Sequence, residues 1–193
     1  MVTNLKTRLS VQEYLAWEAE NEIKHEYIDG EVYAMSGGTG KHSSIMINIT
    51  IAIGQQLGDS LCSLHSSEMR VKVNDSRYVY PDLSAVCGKS SYEDESEISL
   101  LNPILVIEVT SPSSIEFDRL AKRDLYREVP SIQGYLVVDQ HRVCAELYTR
   151  ADVGWLLQVY TDPDDVIPLE MLNSELPLAE IYRGISFEEA QSD

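Results

Sequence analysis

The elements legible in this sequence, a helix, several short strands, a second helix and a further strand, predict a mixed α/β fold in which sheet and helices pack in layers. Three observations carry that prediction. Apolar residues recur at Ile45, Ile49, Ile53 and Leu57, the i, i+4 stripe of a helix with one buried face. "KHEYIDGEVYAM", residues 24–35, reads as two short strands joined by Asp29-Gly30, a strong hairpin signal. "LVIEVT", residues 105–110, is an apolar, largely β-branched run ended by Ser-Pro-Ser.

In chain order, "SVQE" at Ser10–Glu13 is a capping box that starts a helix running to about Asn21. The hairpin follows, then the glycine-rich loop "SGGTGKHSS" and the long helix from about Lys41 to Leu57. Strand-like runs come at about 62–66, 69–74 and 78–87, the last interrupted by Pro81-Asp82. Proline is tolerated mainly at strand edges or bulges, so this run is expected to bend or lose pairing where Asp82 sits. Beyond the charged link "KSSYEDESE", the strand at 104–109 leads into a helix over 115–129 with Phe117, Leu120, Ala121 and Leu125 on one face. A strand at 132–138 and a hairpin of 143–149 with 154–160 complete the pattern. The tail from Asp162 is acidic and punctuated by prolines, with a short helix near Leu178–Arg183. With no repeat and no dividing linker, residues 1–193 read as one domain carrying an acidic C-terminal extension from about 162.

Composition narrows the function classes. A chain of 193 residues can bury roughly 70% of its unfolded surface, enough for a substantial core. No apolar stretch approaches the ~18 residues a membrane helix needs, and the start lacks the apolar core of a signal peptide. Cys62, Cys87 and Cys144 are odd in number and widely spaced, which argues against a disulfide framework and for free thiols in a cytoplasmic protein. The net charge of −17 opposes broad, sequence-independent gripping of a phosphate backbone. The charge is uneven, however: from Glu128 onward there are three basic and thirteen acidic residues, whereas "RLAKRDLYR", 119–127, holds four basic residues and one acidic. That run is either a local basic patch or a solvated helix face.

Several motifs can be set aside. "GGTGKH" lies between a strand and a helix, but a phosphate loop needs Gly, four residues, then Gly-Lys-Ser/Thr; here His42 follows Lys41, and Met35 stands where the first glycine belongs. It reads as a flexible loop feeding a helix. Cys62 and His65 have no second pair at zinc-site spacing, and His25, His42 and His141 are scattered. His42 reads as a half-buried, hydrogen-bonded histidine. No Gly-x-Ser-x-Gly is present for a serine hydrolase.

The carboxylates remain. Glu108 sits inside a buried-type strand, where an ionised group is costly unless paired. If strands 78–87 and 104–109 are neighbours, Asp82 and Glu108 approach on one face, and a cation or a proton must offset their repulsion. Hard oxygen donors suit Mg²⁺ or Mn²⁺. On the helix that follows, Asp118, Lys122 and Tyr126 form one polar line at i, i+4 and i+8, so Lys122 either reaches back to the carboxylates or makes a surface pair with Asp118.

Pro81-Asp82 followed by Glu108-Val109-Thr110 resembles the PD-(D/E)xK pattern of restriction-endonuclease-like nucleases. The ordered set "HEYIDGEV", "PDLSAV", "IEVTSPSS", Asp118…Lys122…Tyr126 and "YLVVD" is more specific and resembles the Uma-type endonuclease family over about Ser10–Tyr148. The resemblance implies a restriction-endonuclease-like core, a central mixed β-sheet flanked by helices in the order α-β-β-β-α-β. It implies hydrolysis of nucleic acid, DNA foremost, with Mg²⁺ or Mn²⁺ held by Asp82, Glu108 and the Val109 carbonyl. Glu26 matches an acidic position of the family near the metal, though a surface charge on the hairpin is nearly as good a reading. The general pattern places lysine two residues after the glutamate, where this chain has Thr110. In the Uma-type family the lysine is thought to have moved to the following helix, which points to Lys122 as a catalytic residue beside Asp82 and Glu108. Tyr126 either hydrogen-bonds within the site or packs, and packing is the favoured expectation. Homodimers are common among such nucleases. Two alternatives stand beside this reading: a catalytically silent dimeric binding or regulatory module, favoured by Thr110 and the acidic charge, and a glycosidase using the two carboxylates without metal.

Overall fold

Signals confined to a few neighbouring residues became the elements they predicted. The computed structural model describes residues 3–35, 37–110 and 121–187. Strand β1 (Thr3–Arg8) leads to helix α1 (Val11–Glu18), whose capping box forms: the Ser10 hydroxyl takes the Glu13 N–H while the Glu13 carboxylate accepts from the Ser10 N–H. Strands β2 (His25–Ile28) and β3 (Glu31–Ala34) close the expected hairpin, with Asp29 and Gly30 at φ 52° and 96°. Both angles are positive, as the tight turn demands. Helix α2 (Gly40–Leu57) buries Ile45, Ile49, Ile53 and Leu57, the predicted stripe.

Strands β4 (Cys62–Ser66) and β5 (Arg70–Asn74) follow. The run expected at 78–87 splits into β6 (Arg77–Val79) and β7 (Leu83–Cys87). The short β8 (Ser99–Leu100) and the fully buried β9 (Leu105–Thr110) come next. Helix α3 spans Arg123–Arg127; Phe117, Asp118 and Leu120, placed by the sequence on a helix over 115–129, lie outside the described residues. Strands β10 (Gly134–Asp139), β11 (Ala145–Arg150) and β12 (Trp155–Tyr160) are followed by the small hairpin of β13 (Val166–Leu169) and β14 (Ser174–Pro177), and by helix α4 (Leu178–Ile181).

The fold is mixed α/β, as expected. One sheet has the order β1-β3-β2-β6-β5-β8 and the other β12-β11-β10-β9-β7-β4. In the second sheet β9 and β10 run parallel while β7 pairs β9 antiparallel. Tyr80-Pro81-Asp82 therefore does more than bend a strand: it carries the chain from the first sheet to the second. Proline, which cannot donate to a ladder, sits where pairing changes hands.

Two faces of β9 have different surroundings, as the two-residue strand period requires. Leu105, Ile107 and Val109 join Ile45, Ile49 and Ile53 of α2 in the larger apolar cluster. Val106 belongs to the opposite cluster with Val137, Leu125 and Tyr126, and Glu108 follows Val106 in the strand period.

Two expectations are altered. The C-terminal segment is acidic outside but not an appendage, since Ile167, Leu169, Leu172, Leu176, Leu178 and Ile181 pack into the same cluster as α2. Asn48 of α2 secures it by donating to the Ile181 and Arg183 carbonyls at 3.0 and 2.9 Å. The expectation of three free thiols is corrected: Cys62 and Cys87 form a disulfide, leaving Cys144 free and buried. Antiparallel pairing of β4 with β7 places the two cysteines directly opposite each other. With that bond present, the cysteines no longer argue for a reducing compartment. Among the described residues, no helix is long and apolar enough to cross a membrane.

Candidate active site

The pairing of β7 with β9 opposes Leu83 to Ile107, so the next residue pair brings Asp82 beside Glu108. Asp82 lies just past the strand end, where its side chain turns back to accept the Val109 N–H on Oδ2 at 2.8 Å. The structure gathers Glu26, Asp82, Glu108, Val109 and Lys122 around one cleft of about 780 Å³.

Glu108 is only 4% exposed, and its burial is matched by its partners. Its Oε1 accepts from the Lys122 ammonium at 2.9 Å and from the Tyr126 hydroxyl at 2.7 Å. Lys122 is itself buried and lies 3.0 Å from Glu26 Oε1. Glu26 is 3% exposed and also accepts the Tyr80 N–H at 3.3 Å, so it is no surface charge of the hairpin. One ammonium thus bridges two carboxylates drawn from β2 and β9. Burial, followed by the adjacent Glu108 charge, pushes the Tyr126 phenol well above its ordinary range and keeps it a donor.

A second buried network steadies the approaches to this cleft. Glu18 at the end of α1 accepts the His25 N–H at 2.8 Å, meets His25 Nδ1 at 2.9 Å and accepts the Tyr80 hydroxyl at 3.1 Å. His25 immediately precedes Glu26, and Tyr80 precedes Pro81-Asp82, so one carboxylate fixes both strands just ahead of the site. Thr110, at the usual lysine position, turns its hydroxyl to the Val138 carbonyl at 3.3 Å and is part of the sheet rather than the cleft.

The donor set fits a small, hard cation. Asp82 Oδ1 and Glu26 Oε2 accept no hydrogen bond from the described residues, while the companion oxygens are anchored. Among the described residues no three His, Cys, Asp or Glu side chains are grouped for a metal. Mg²⁺ does not need such a cage, because it is commonly held by one or two carboxylates together with water and substrate phosphate.

Residues 11–179 match the family described as "Putative restriction endonuclease", Uma2, which covers most of the chain. The chain belongs to the Uma2 family. Two uncharacterized proteins of Synechocystis are similar over nearly their whole lengths. One is 36% identical over 93% of this chain and 94% of its own, the other 32% identical over 81% and 90%. A crystal structure from Anabaena variabilis, described as a "putative nuclease", superposes with a TM-score of 0.75 at 20% identity, covering 90% of this chain and 97% of that one. At that identity the likeness shows the shared fold.

Two residues of this Uma2 site do more than the reading favoured from the sequence. Tyr126 is not a packing residue alone, since it donates to Glu108 while its ring lies 5.0 Å from that of Tyr135. Its place on the polar line with Lys122 was the available signal. His42 is half-buried and hydrogen-bonded as expected, but its partner is Asp82, at 3.0 Å from Nε2 to Oδ2. Nothing local links residues 40 positions apart.

Proposed function

We propose that this Uma2 chain is a metal-dependent nuclease hydrolysing phosphodiester bonds of nucleic acid, DNA foremost. The carrying observation is the charge of the cleft. Among the described residues lining the cleft, the carboxylates of Glu22, Glu26, Asp82 and Glu108 stand against the ammonium groups of Lys24 and Lys122, which leaves two formal negative charges for a divalent ion to offset. Mg²⁺ or Mn²⁺ would be held by Asp82, Glu108 and the Val109 carbonyl, with Glu26 as a further oxygen. Such an ion supplies a water of lowered pKa and a Lewis acid toward phosphate. The chain's own groups do the rest: Lys122 offsets negative charge growing on the phosphate, and Tyr126 holds Glu108 in place. The family's description supports DNA as substrate. A homodimer, giving each strand of a duplex its own site, and a cytoplasmic location beside that substrate belong to the same proposal.

One observation favours a second reading. Lys122 already sits within 3.0 Å of Glu26 and Glu108, where it offsets their charge without a metal, as a catalytically silent dimeric module would require. Calorimetric titration of Mn²⁺ into chelator-stripped protein separates the two. The nuclease binds the ion, Asp82→Ala does not, and Asp82→Ala and Glu108→Ala both lose cleavage of DNA oligonucleotides. Absence of Mn²⁺ binding with and without an oligonucleotide would leave the silent module.

A further inference from the structure

The glycine-rich segment that fails as a phosphate loop leads into the first turn of α2, where His42 is the one imidazole bonded to Asp82 among the described residues. Asp82 Oδ2 accepts the Val109 N–H at 2.8 Å and meets His42 Nε2 at 3.0 Å. An oxygen already accepting a backbone N–H is placed to accept a second proton donor, not to present a proton of its own, so the ring carries its hydrogen on Nε2. Two donors on one oxygen fix the rotation of the carboxylate and leave Oδ1 as the atom for a cation.

The loop is shaped around that ring. A Cβ added at Gly38 would lie 2.7 Å from His42 Nδ1 and 3.0 Å from Cγ. Gly38 does not have a positive φ, so the space for the ring, and not the backbone, calls for glycine there. Thr39 caps α2 by accepting the His42 N–H at 3.1 Å, and its hydroxyl is also bonded to Gln140 Oε1. Gln140 is fully buried and donates to the Thr110 carbonyl at 2.8 Å, two residues past Glu108. The loop is thereby tied at one end to β9 and at the other to Asp82.

We propose that His42 is a positioning residue: as an Nε2–H donor it sets Asp82 for cation binding before the cation arrives, with Gly38 and the Thr39–Gln140 bond holding the ring in place. This rests on the reading of Asp82 as a cation ligand. Outer groups of this kind are worth roughly 10–100-fold in metal affinity.

The test pairs a metal-free readout with an affinity. Nitrogen-15 NMR of the imidazoles in chelator-stripped protein is expected to show His42 as the Nε2–H tautomer, with its resonance shifted in Asp82→Ala and in Gly38→Ala. Mn²⁺ affinity is expected to fall roughly tenfold or more in His42→Ala and in Gly38→Ala, and to recover to within about threefold of wild type in His42→Gln, whose amide restores a donor near the same point. An Nδ1–H tautomer, or unchanged Mn²⁺ affinity in His42→Ala, would overturn this inference alone. A His42→Gln protein as weak as His42→Ala would overturn it too, by marking the ring as packing. Wild-type protein that binds no Mn²⁺ while showing the Nε2–H tautomer would overturn the cation reading of Asp82, and the inference with it.

Discussion

Replacing Lys122 with alanine would leave Glu26 and Glu108, both buried, without the ammonium that lies 3.0 and 2.9 Å from them. Removing one partner of a buried ion pair costs about 3–5 kcal/mol, because the remaining charge stays out of water uncompensated. Metal-free Lys122→Ala is therefore expected to unfold at clearly lower denaturant than wild type. If a divalent ion binds these carboxylates, Mn²⁺ should restore more stability to this variant than it adds to wild type, since it supplies the missing positive charge. Denaturant melts with and without Mn²⁺ check both points. A metal-free variant as stable as wild type would contradict a buried, charged Glu108. Tyr126→Phe should do less, about 1–2 kcal/mol, because it removes one neutral donor and Lys122 remains on the same oxygen.

At the scale of elements, the disulfide joining β4 to β7 spans a separation of 25 residues. Restricting an unfolded chain over such a loop is worth about 3 kcal/mol. Reduction, or Cys62→Ser, is expected to lower Tm by roughly 6–12 °C for a chain of this size. Thiol titration of the unfolded chain should find one reactive group, Cys144, before reduction and three after; three before reduction would refute the bond. This pair also shows which parts of the structure were legible in the sequence. The capping box at Ser10, the Asp29-Gly30 turn and the stripe of α2 are written within a few residues, so local physics sufficed to read them. Asp82 and Glu108 were legible as candidates because a proline and a carboxylate each break a strand pattern, but their placement on one cleft depends on register. Cys62 with Cys87, and His42 with Asp82, are joined only by register and helix placement, which no neighbouring residue encodes. The split of 78–87 between two sheets was half visible: Pro81 announced the interruption but not the change of partner. Likewise the tail's apolar residues were outweighed by its acidic ones, although Ile167, Leu169 and Leu176 alternate as a half-buried hairpin should.

Over the whole molecule, the net charge of −17 sets how nucleic acid can be held. The run 119–127 does not form a basic face among the described residues. Lys122 is buried in the site, and Arg123 and Arg127 both pair with Asp124. The described part of this run therefore offers little to a duplex's phosphates, and on the proposed reading the contact concentrates at the cleft, where a bound divalent ion would supply positive charge. Each phosphate neutralised by a side chain contributes about −0.9 to the slope of log K against log salt. The expected slope for a cleavage-resistant duplex is thus shallow, about −2 or less steep, with affinity lost when the divalent ion is chelated. Fluorescence anisotropy over a range of monovalent salt, with Mn²⁺ or chelator, measures both. A slope of about −5 that survives chelation would mean a basic surface grips the backbone independently of the carboxylates. The centre of binding would then lie away from Asp82 and Glu108, and the metal-centred account of the cleft would fall with it.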